Sequence, residues 1–448
     1  MYLCSVNTYW NRYRKHYRDI SRLSGPIMVA QLGTIVTAYA DTIMVGHYTT
    51  QSLAAASFVT NVFNFIILLS LGFSYGITPL VGALQALNSD SKVGAMLRGI
   101  TVANLTFGAI LLLFMTVFYF LLDHLGQPKE LLPLIRPYYL IIFASMVPIF
   151  FTHVCRQFCD ALGHTSLGMW IFITGNLLNI AGNYMLIFGH WGAPEMGLNG
   201  AGWSTLGARL FMCIAYMAVI MHTKRYQGIW KGFLASRVKM PELKNIVQTS
   251  YPIALQMGLE CGIFTFALIV VGWFGTLSLA AYQVILMLSN LGFMIYYAFG
   301  AGTAIKISHY NGMGNRVAIG EAAHAGYALT LVFSIIACLI FVVAGKVIIG
   351  IFTDDRAVLD IAAGLILPLV LYQLGDATQI AFANALRGIG KTVGIMKGAI
   401  IAYLIVGVPL IYVLAVPARL GLTGIYLAFF VSLLTAGIIF HHQFHHSQ

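Results

Sequence analysis

Tyr39-Ala40-Asp41-Thr42-Ile43-Met44-Val45-Gly46 closes a stretch, Gly25 to Gly46, in which Asp41 is the one charged side chain. Twenty-two residues at about 1.5 Å rise span roughly 30 Å, the thickness of a bilayer core. A carboxylate there costs at least about 2.5 kcal/mol on the insertion scale, so something must compensate it. Water at the membrane end of the helix is one such compensation; a bound cation or proton is another.

The rest of the chain has the same character. Of 448 residues, 59% are hydrophobic and only 9% charged, with a mean hydropathy of +0.84. Soluble chains carry about 25% charged residues, so the sequence reads as an integral membrane protein. Runs such as Leu111-Leu112-Leu113-Phe114 and Leu339-Ile340-Phe341-Val342-Val343 are continuously apolar. A transmembrane barrel would alternate, so the spans are helices. Apolar windows place them near 23–46, 53–86, 93–122, 133–161, 166–189 and 197–223. Six more fall near 243–272, 278–309, 315–345, 358–386, 392–415 and 421–440. The expected fold is all-α, twelve transmembrane helices in two pseudo-symmetric six-helix lobes.

Twelve spans put both termini on one side. Of the 25 basic residues, nineteen fall on the face shared by the termini, among them Arg12, Arg14, Lys15, Arg18, Arg22 and the cluster Lys224 to Lys244. The opposite face has Lys129, Arg136, Lys346, Arg356 and Arg419, and Arg209 lies within the sixth span. The positive-inside rule then makes both termini cytoplasmic, so the +11 charge reflects topology and implies no nucleic acid. The expected divisions are a basic segment 1–22, resting on anionic headgroups, and lobes at 23–223 and 243–440. A cytoplasmic linker at 224–242 joins the lobes, and a His-rich tail follows at 441–448.

A shift of 226 superimposes Pro26-Ile27 on Pro252-Ile253, Gly46 on Gly272, Leu53-Ala54-Ala55 on Leu279-Ala280-Ala281 and Gly76 on Gly302. Gly163-His164-Thr165 meets Gly390-Lys391-Thr392 at 227, and Gly197-Leu198-Asn199-Gly200 meets Gly421-Leu422-Thr423-Gly424 at 224. The halves are therefore a parallel repeat, the plan of transporters whose central site faces each side in turn.

Four acids fall inside the spans away from obvious ends: Asp41, Glu260, Glu321 and Asp376. Glu321 follows Arg316 by about one turn and reads as a solvated helix start; Asp160, four residues from Arg156, reads as an ordinary pair. Gln256 and Glu260 share a face of the seventh span, and Tyr372, Asp376 and Gln379 share one on the tenth. Asn179 and Asn183 are four apart on the fifth, and Thr205 lies on the sixth. Such oxygens suit a desolvated Na⁺ or tune a carboxylate for protonation, whereas singly they glue helices together. Tyr39, Tyr282, Phe293, Tyr296 and Tyr297 are candidates for cation–π faces.

Six cysteines without a CxxC pair read as small hydrophobes. The histidines at 441, 442, 445 and 446 could hold a metal but read as a solvated end. No HExxH or GxSxG run supports an intramembrane enzyme. The turn Leu87 to Lys92 lacks a major-facilitator basic signature. A lipid-linked saccharide flippase, the alternative reading, would need several intramembrane cations for diphosphate, and Arg209 stands nearly by itself.

From about Leu23 to Gly424 the chain resembles the multidrug and toxic compound extrusion (MATE) family, more closely its NorM-like branch. The resemblance is carried by Pro26-Ile27, Gln31, Asp41 to Gly46, Asn179, Asn183 and Gly200 to Thr205. It continues through Pro252 to Gln256, Glu260, Tyr372 to Asp376 and Ala385-Leu386-Arg387-Gly388. It implies a cation or proton site at Asp41, Asn179, Asn183 and Thr205, and a second at Glu260, Tyr372 and Asp376. It also implies export of organic cations or other amphipathic compounds in exchange for Na⁺ or H⁺, with no other cofactor. The chain is expected to work as a monomer in a bacterial inner membrane. Lys391, where relatives often carry an acid, and the degenerate turn at His164 depart from the pattern in cytoplasmic turns.

Overall fold

In the computed structural model, residues 2–124, 128–353 and 355–447 are described, with side chains from residue 12 onward. The Cys4 side chain, Met1 and Gln448 lie outside that description. Helices α1 (Tyr2–Tyr48), α2 (Thr50–Ser74), α3 (Ile77–Ala86), α4 (Asp90–Leu121), α5 (Leu132–Ala144), α6 (Met146–Ala161), α7 (Thr165–Phe188) and α8 (Leu198–His222) come first. A short α9 (Gln227–Ala235) follows, then α10 (Met240–Gly272), α11 (Thr276–Gly312), α12 (Arg316–Phe352), α13 (Arg356–Gly364) and α14 (Ile366–Gly388). The chain closes with α15 (Thr392–Ala399), a π-helical segment Ile400–Gly407, α16 (Val408–Ala415) and α17 (Gly421–His445). Together they supply twelve stretches long and apolar enough to cross a membrane, six in each lobe.

Three expected spans are broken, and a proline follows each break. α2 gives way to α3 at Tyr75-Gly76, α5 to α6 at Ser145, and α13 to α14 at Leu365. Pro79, Pro148 and Pro368 each stand three residues beyond the break. A proline ring clashes with the carbonyl four residues earlier and offers it no N–H, so the helix ends there and restarts. The interval assigned to a linker contains α9. Its Gly232 lies so close to Ser91 of α4 that a Cβ would sit 2.6 Å from the Ser91 carbonyl oxygen. Arg98 of α4 donates to the α9 carbonyls of Phe233 and Leu234 and to that of Ser236 beyond it. The histidine-rich end is the last turn of α17 rather than a free tail.

The chain divides into two compact units, 29–254 and 1–28 with 255–448, so each boundary falls inside a long helix. The amino-terminal end of α1 belongs to the carboxy-terminal unit. There Arg12 Nε donates to Glu321 at 2.6 Å, His16 Nε2 lies 3.1 Å from the same carboxylate, and Lys306 donates to Asp19 at 2.6 Å. Glu321 is therefore a paired carboxylate of α12 and not a solvated helix start. Arg14, Lys15, Arg18 and Arg22 stay exposed. Arg156 and Asp160 do form the expected i,i+4 pair, at 3.8 Å, with Asp160 buried and Arg156 half-buried in the amino-terminal unit.

The repeat reappears as matched close contacts. A Cβ on Gly302 would lie 2.3 Å from Ser24 Oγ, and one on Gly76 would lie 2.1 Å from Ser250 Oγ. Ser24 and Ser250, like the two glycines, are 226 residues apart. Both sites need a bare backbone so that α1 and α10 can pack. Gly76→Ala and Gly302→Ala are each expected to cost about 1–3 kcal/mol by overpacking, read as a lower thermal midpoint in detergent. Unchanged midpoints would show that neither contact is tight. The turns repeat too: Gly163 and Gly390 have φ of 81° and 77°, a left-handed backbone that glycine adopts without penalty.

Candidate functional site

In the amino-terminal unit, α7 and α8 approach closely because the contact is built from small residues. A Cβ on Gly182 would meet Ser204 Oγ at 2.5 Å, and one on Gly200 would meet the Leu186 carbonyl at 2.3 Å. This brings Thr205 to Asn179, while the i,i+4 spacing places Asn183 beside it, both asparagines buried. Asn183 Nδ2 donates to Asp41 Oδ1 at 2.5 Å. With its amide turned to satisfy both ends, Asn179 donates to the same oxygen at 2.8 Å and accepts from Thr205 Oγ1 at 3.3 Å. Asp41, Asn179, Asn183 and Thr205 thus form one cluster. Among the described residues Asn183 Oδ1 accepts no hydrogen bond, an amide oxygen beside the carboxylate of the kind a hard cation takes.

Arg209 lies one turn beyond Thr205 on α8, half-buried, with Nη1 donating to Ser145 Oγ at 2.6 Å. It is near enough for its charge to act on Asp41, yet the two make no ion pair within contact distance among the described residues.

In the carboxy-terminal unit, Gln256 Nε2 donates to Glu260 Oε2 at 2.6 Å, as their spacing on α10 predicts. Arg387 Nη2 of α14 donates to Gln256 Oε1 at 2.7 Å. Gln256 therefore links arginine to carboxylate. Tyr403 donates to Glu260 at 3.4 Å from the π-helical segment. Asp376, 1% exposed, accepts from the Tyr296 hydroxyl of α11 at 2.5 Å. Asp376 and Glu260 are close enough for their charges to interact without a direct bond.

Tyr372 lies near enough to Asp376 and Glu260 for its phenol to feel their charges. Its ring packs with Phe264, Tyr426 and Phe429 at centroid distances of 6.3, 6.2 and 5.9 Å. The Tyr296 hydroxyl reaches Asp376 from a neighbouring helix. Gln379 is buried with Oε1 unpartnered. Among the aromatic candidates, Tyr282 packs on Tyr426 and Phe293 stacks on Tyr297. No group of three or more His, Cys, Asp or Glu fit for a metal comes together among the described residues, the histidines of α17 included.

Tyr403, Arg387 and Arg209 are the residues the spacing argument did not assign. Arg387 sits in a quoted motif, and Arg209 was visible as a charge at membrane depth. Tyr403 had no signal, because a π segment shifts the phase of the helix around it.

The MatE family model matches the chain twice, over residues 26–185 and 252–413. The two starts are 226 residues apart, the same shift as the internal repeat. Several solved structures share the fold. A MOP superfamily transporter from Pyrococcus furiosus, described as having a binding pocket of reverse polarity, aligns at TM-score 0.85 and 18% identity over 96% of both chains. The eukaryotic MATE transporter AtDTX14 aligns at 0.87 and 16%, again over 96% of each. An outward-facing multidrug resistance MATE family transporter aligns at 0.85 and 19% with the same coverage. With the family model covering most of both lobes, the chain belongs to the MatE family of membrane transport proteins.

Proposed function

We propose that this protein is a secondary active exporter that moves organic cations or other amphipathic compounds outward in exchange for Na⁺ or H⁺. One observation carries the reading. Asp41, Glu260 and Asp376 are held inside membrane spans by amides and hydroxyls, and none makes a contact ion pair among the described residues. A carboxylate at that depth that no contact ion pair neutralises favours a mobile partner, a proton, a sodium ion or a cationic substrate. The coupling ion and the substrate then compete for the same charges. Outward-facing, the ion neutralises the carboxylates and the cation is released; inward-facing, the ion leaves and the bared acids attract the next substrate.

In this reading Asp41, Asn179, Asn183 and Thr205 form the amino-lobe ion site. Gln256, Glu260, Tyr372 and Asp376, with Tyr296 and Tyr403, form the carboxy-lobe site. Glu260 and Asp376 titrate as a coupled pair. No covalent chemistry is involved. The charge asymmetry of the loops supports cytoplasmic termini, in keeping with a bacterial inner membrane.

The test is efflux of ethidium, a permanent cation, from proteoliposomes under an imposed Na⁺ gradient or an imposed pH gradient, one at a time. Efflux above protein-free vesicles is expected with one of the two. Indifference to both gradients would refute ion-coupled export.

A further inference from the structure

Gly388-Ile389-Gly390-Lys391-Thr392 carries the chain from α14 into α15, at the end of the carboxy-terminal unit where the basic loops lie. A cavity of about 480 Å³ opens there, between the first turn of α15 and the end of α17. That is within the roughly 300–1,000 Å³ of small-molecule sites. Lys391, Thr392, Gln443 and His446 are among the described residues lining it, and none of these is a carboxylate.

Three features of the lining suit an anion. Thr392 is 2% exposed, yet its hydroxyl makes no hydrogen bond among the described residues and is not sealed off from the cavity. A buried hydroxyl is costly to leave without a partner. Lys391 is exposed, and its ammonium makes no ion pair or capping bond among the described residues. The N–H groups of Thr392, Val393 and Gly394 open a helix and have no partner within it, which gives this end a partial positive charge. Gly390, at φ 77°, supplies the left-handed residue that anion-binding turns use.

The internal repeat offers a contrast. In the matching turn of the amino-terminal unit, Gly163-His164-Thr165, His164 Nδ1 lies 2.5 Å from the Tyr226 hydroxyl, so that side chain is engaged within the protein. In the carboxy-terminal unit the same position holds a cation that faces the cavity instead. A phosphate brings several oxygens and a full charge to a lysine, a hydroxyl and a row of N–H groups. Gln443 Oε1 is buried without a donor, so a ligand that also carries a hydroxyl completes the set.

We propose that this cavity binds a phosphate group, its oxygens held by Lys391, Thr392 and the N–H groups that open α15. Inorganic phosphate and the phosphatidylglycerol headgroup share that chemistry, and each carries a hydroxyl for Gln443. The proposal does not rest on the exporter reading, and each can fail without the other.

The test has two arms, both on the purified protein. In detergent, the thermal midpoint is followed as inorganic phosphate replaces chloride at constant ionic strength, and affinity is read from the concentration dependence. In native mass spectrometry, retained phosphatidylglycerol is counted against phosphatidylcholine, whose trimethylammonium cancels the phosphate charge. Saturable binding is expected in at least one arm. A midpoint that rises with phosphate marks the free ion as ligand, and preferential retention of phosphatidylglycerol by itself marks the headgroup. Lys391→Gln is expected to weaken binding about tenfold, the loss of one charge-assisted bond, and Thr392→Val about threefold. Lys397→Gln removes an exposed lysine of the same helix that does not line the cavity, and should change nothing. If Thr392→Val does not fold, the two lysine variants, both at exposed positions, decide. No saturable binding in either arm, or binding unchanged by Lys391→Gln or by a folded Thr392→Val, overturns the proposal. So does an equal loss in Lys397→Gln, which marks general attraction to a basic surface.

Discussion

Replacing Asp41 with Asn is expected to reduce gradient-driven ethidium efflux to the level of empty vesicles while leaving the protein folded and inserted. The substitution is nearly isosteric, and the amide oxygen left at position 41 can still accept from Asn183. Removing an intramembrane carboxylate also lightens insertion by roughly 2.5 kcal/mol or more. What is lost is the exchangeable negative charge. Facilitated movement of the dye down its own gradient can survive where coupling does not, so the variant separates the two. Efflux in Asp41→Asn that still follows the imposed gradient would move the coupling site elsewhere.

The second large effect is expected at the carboxy-lobe pair. Asp376→Asn and Glu260→Gln should each lower efflux at least about tenfold, and the double variant should lose little more than either single one. Residues acting as one unit are non-additive, because removing either already breaks the function. The structure gives the reason. The two acids interact through charge while each keeps its own donors, Tyr296 for Asp376 and Gln256 with Tyr403 for Glu260. Additive losses would mean that the two act independently, and the single coupled site would have to be abandoned.

Much of this was legible in the sequence where the signal is local. Twelve spans follow from long uncharged stretches, and the Gln256–Glu260 bond from an i,i+4 spacing of two long side chains. Thr205 reaches Asn179 because small residues let α7 and α8 close up, and those glycines were visible too. Each of the three breaks is marked by a proline, Pro79, Pro148 or Pro368, but Pro26 and Pro252 sit inside unbroken helices, and averaging hydropathy over a span hides such marks. What lay beyond reach depends on distant partners. Glu321 is paired with Arg12 and His16, more than three hundred residues away. Asp376 takes its hydroxyl from Tyr296 on another helix and not from Tyr372 on its own. Tyr403 meets Glu260 only because eight residues wind as a π-helix, a departure that no periodicity announces.

Cation binding to the purified protein at equilibrium tests the shared-charge account most directly. Ethidium affinity is measured while Na⁺ is raised at fixed pH, and again while pH is lowered without Na⁺. Competition by one of the two ions is expected to weaken binding about tenfold or more, and a variant carrying Asp41→Asn, Glu260→Gln and Asp376→Asn should show no such response. Ethidium affinity that ignores both ions in the parent protein, or competition that persists in the triple variant, would contradict it.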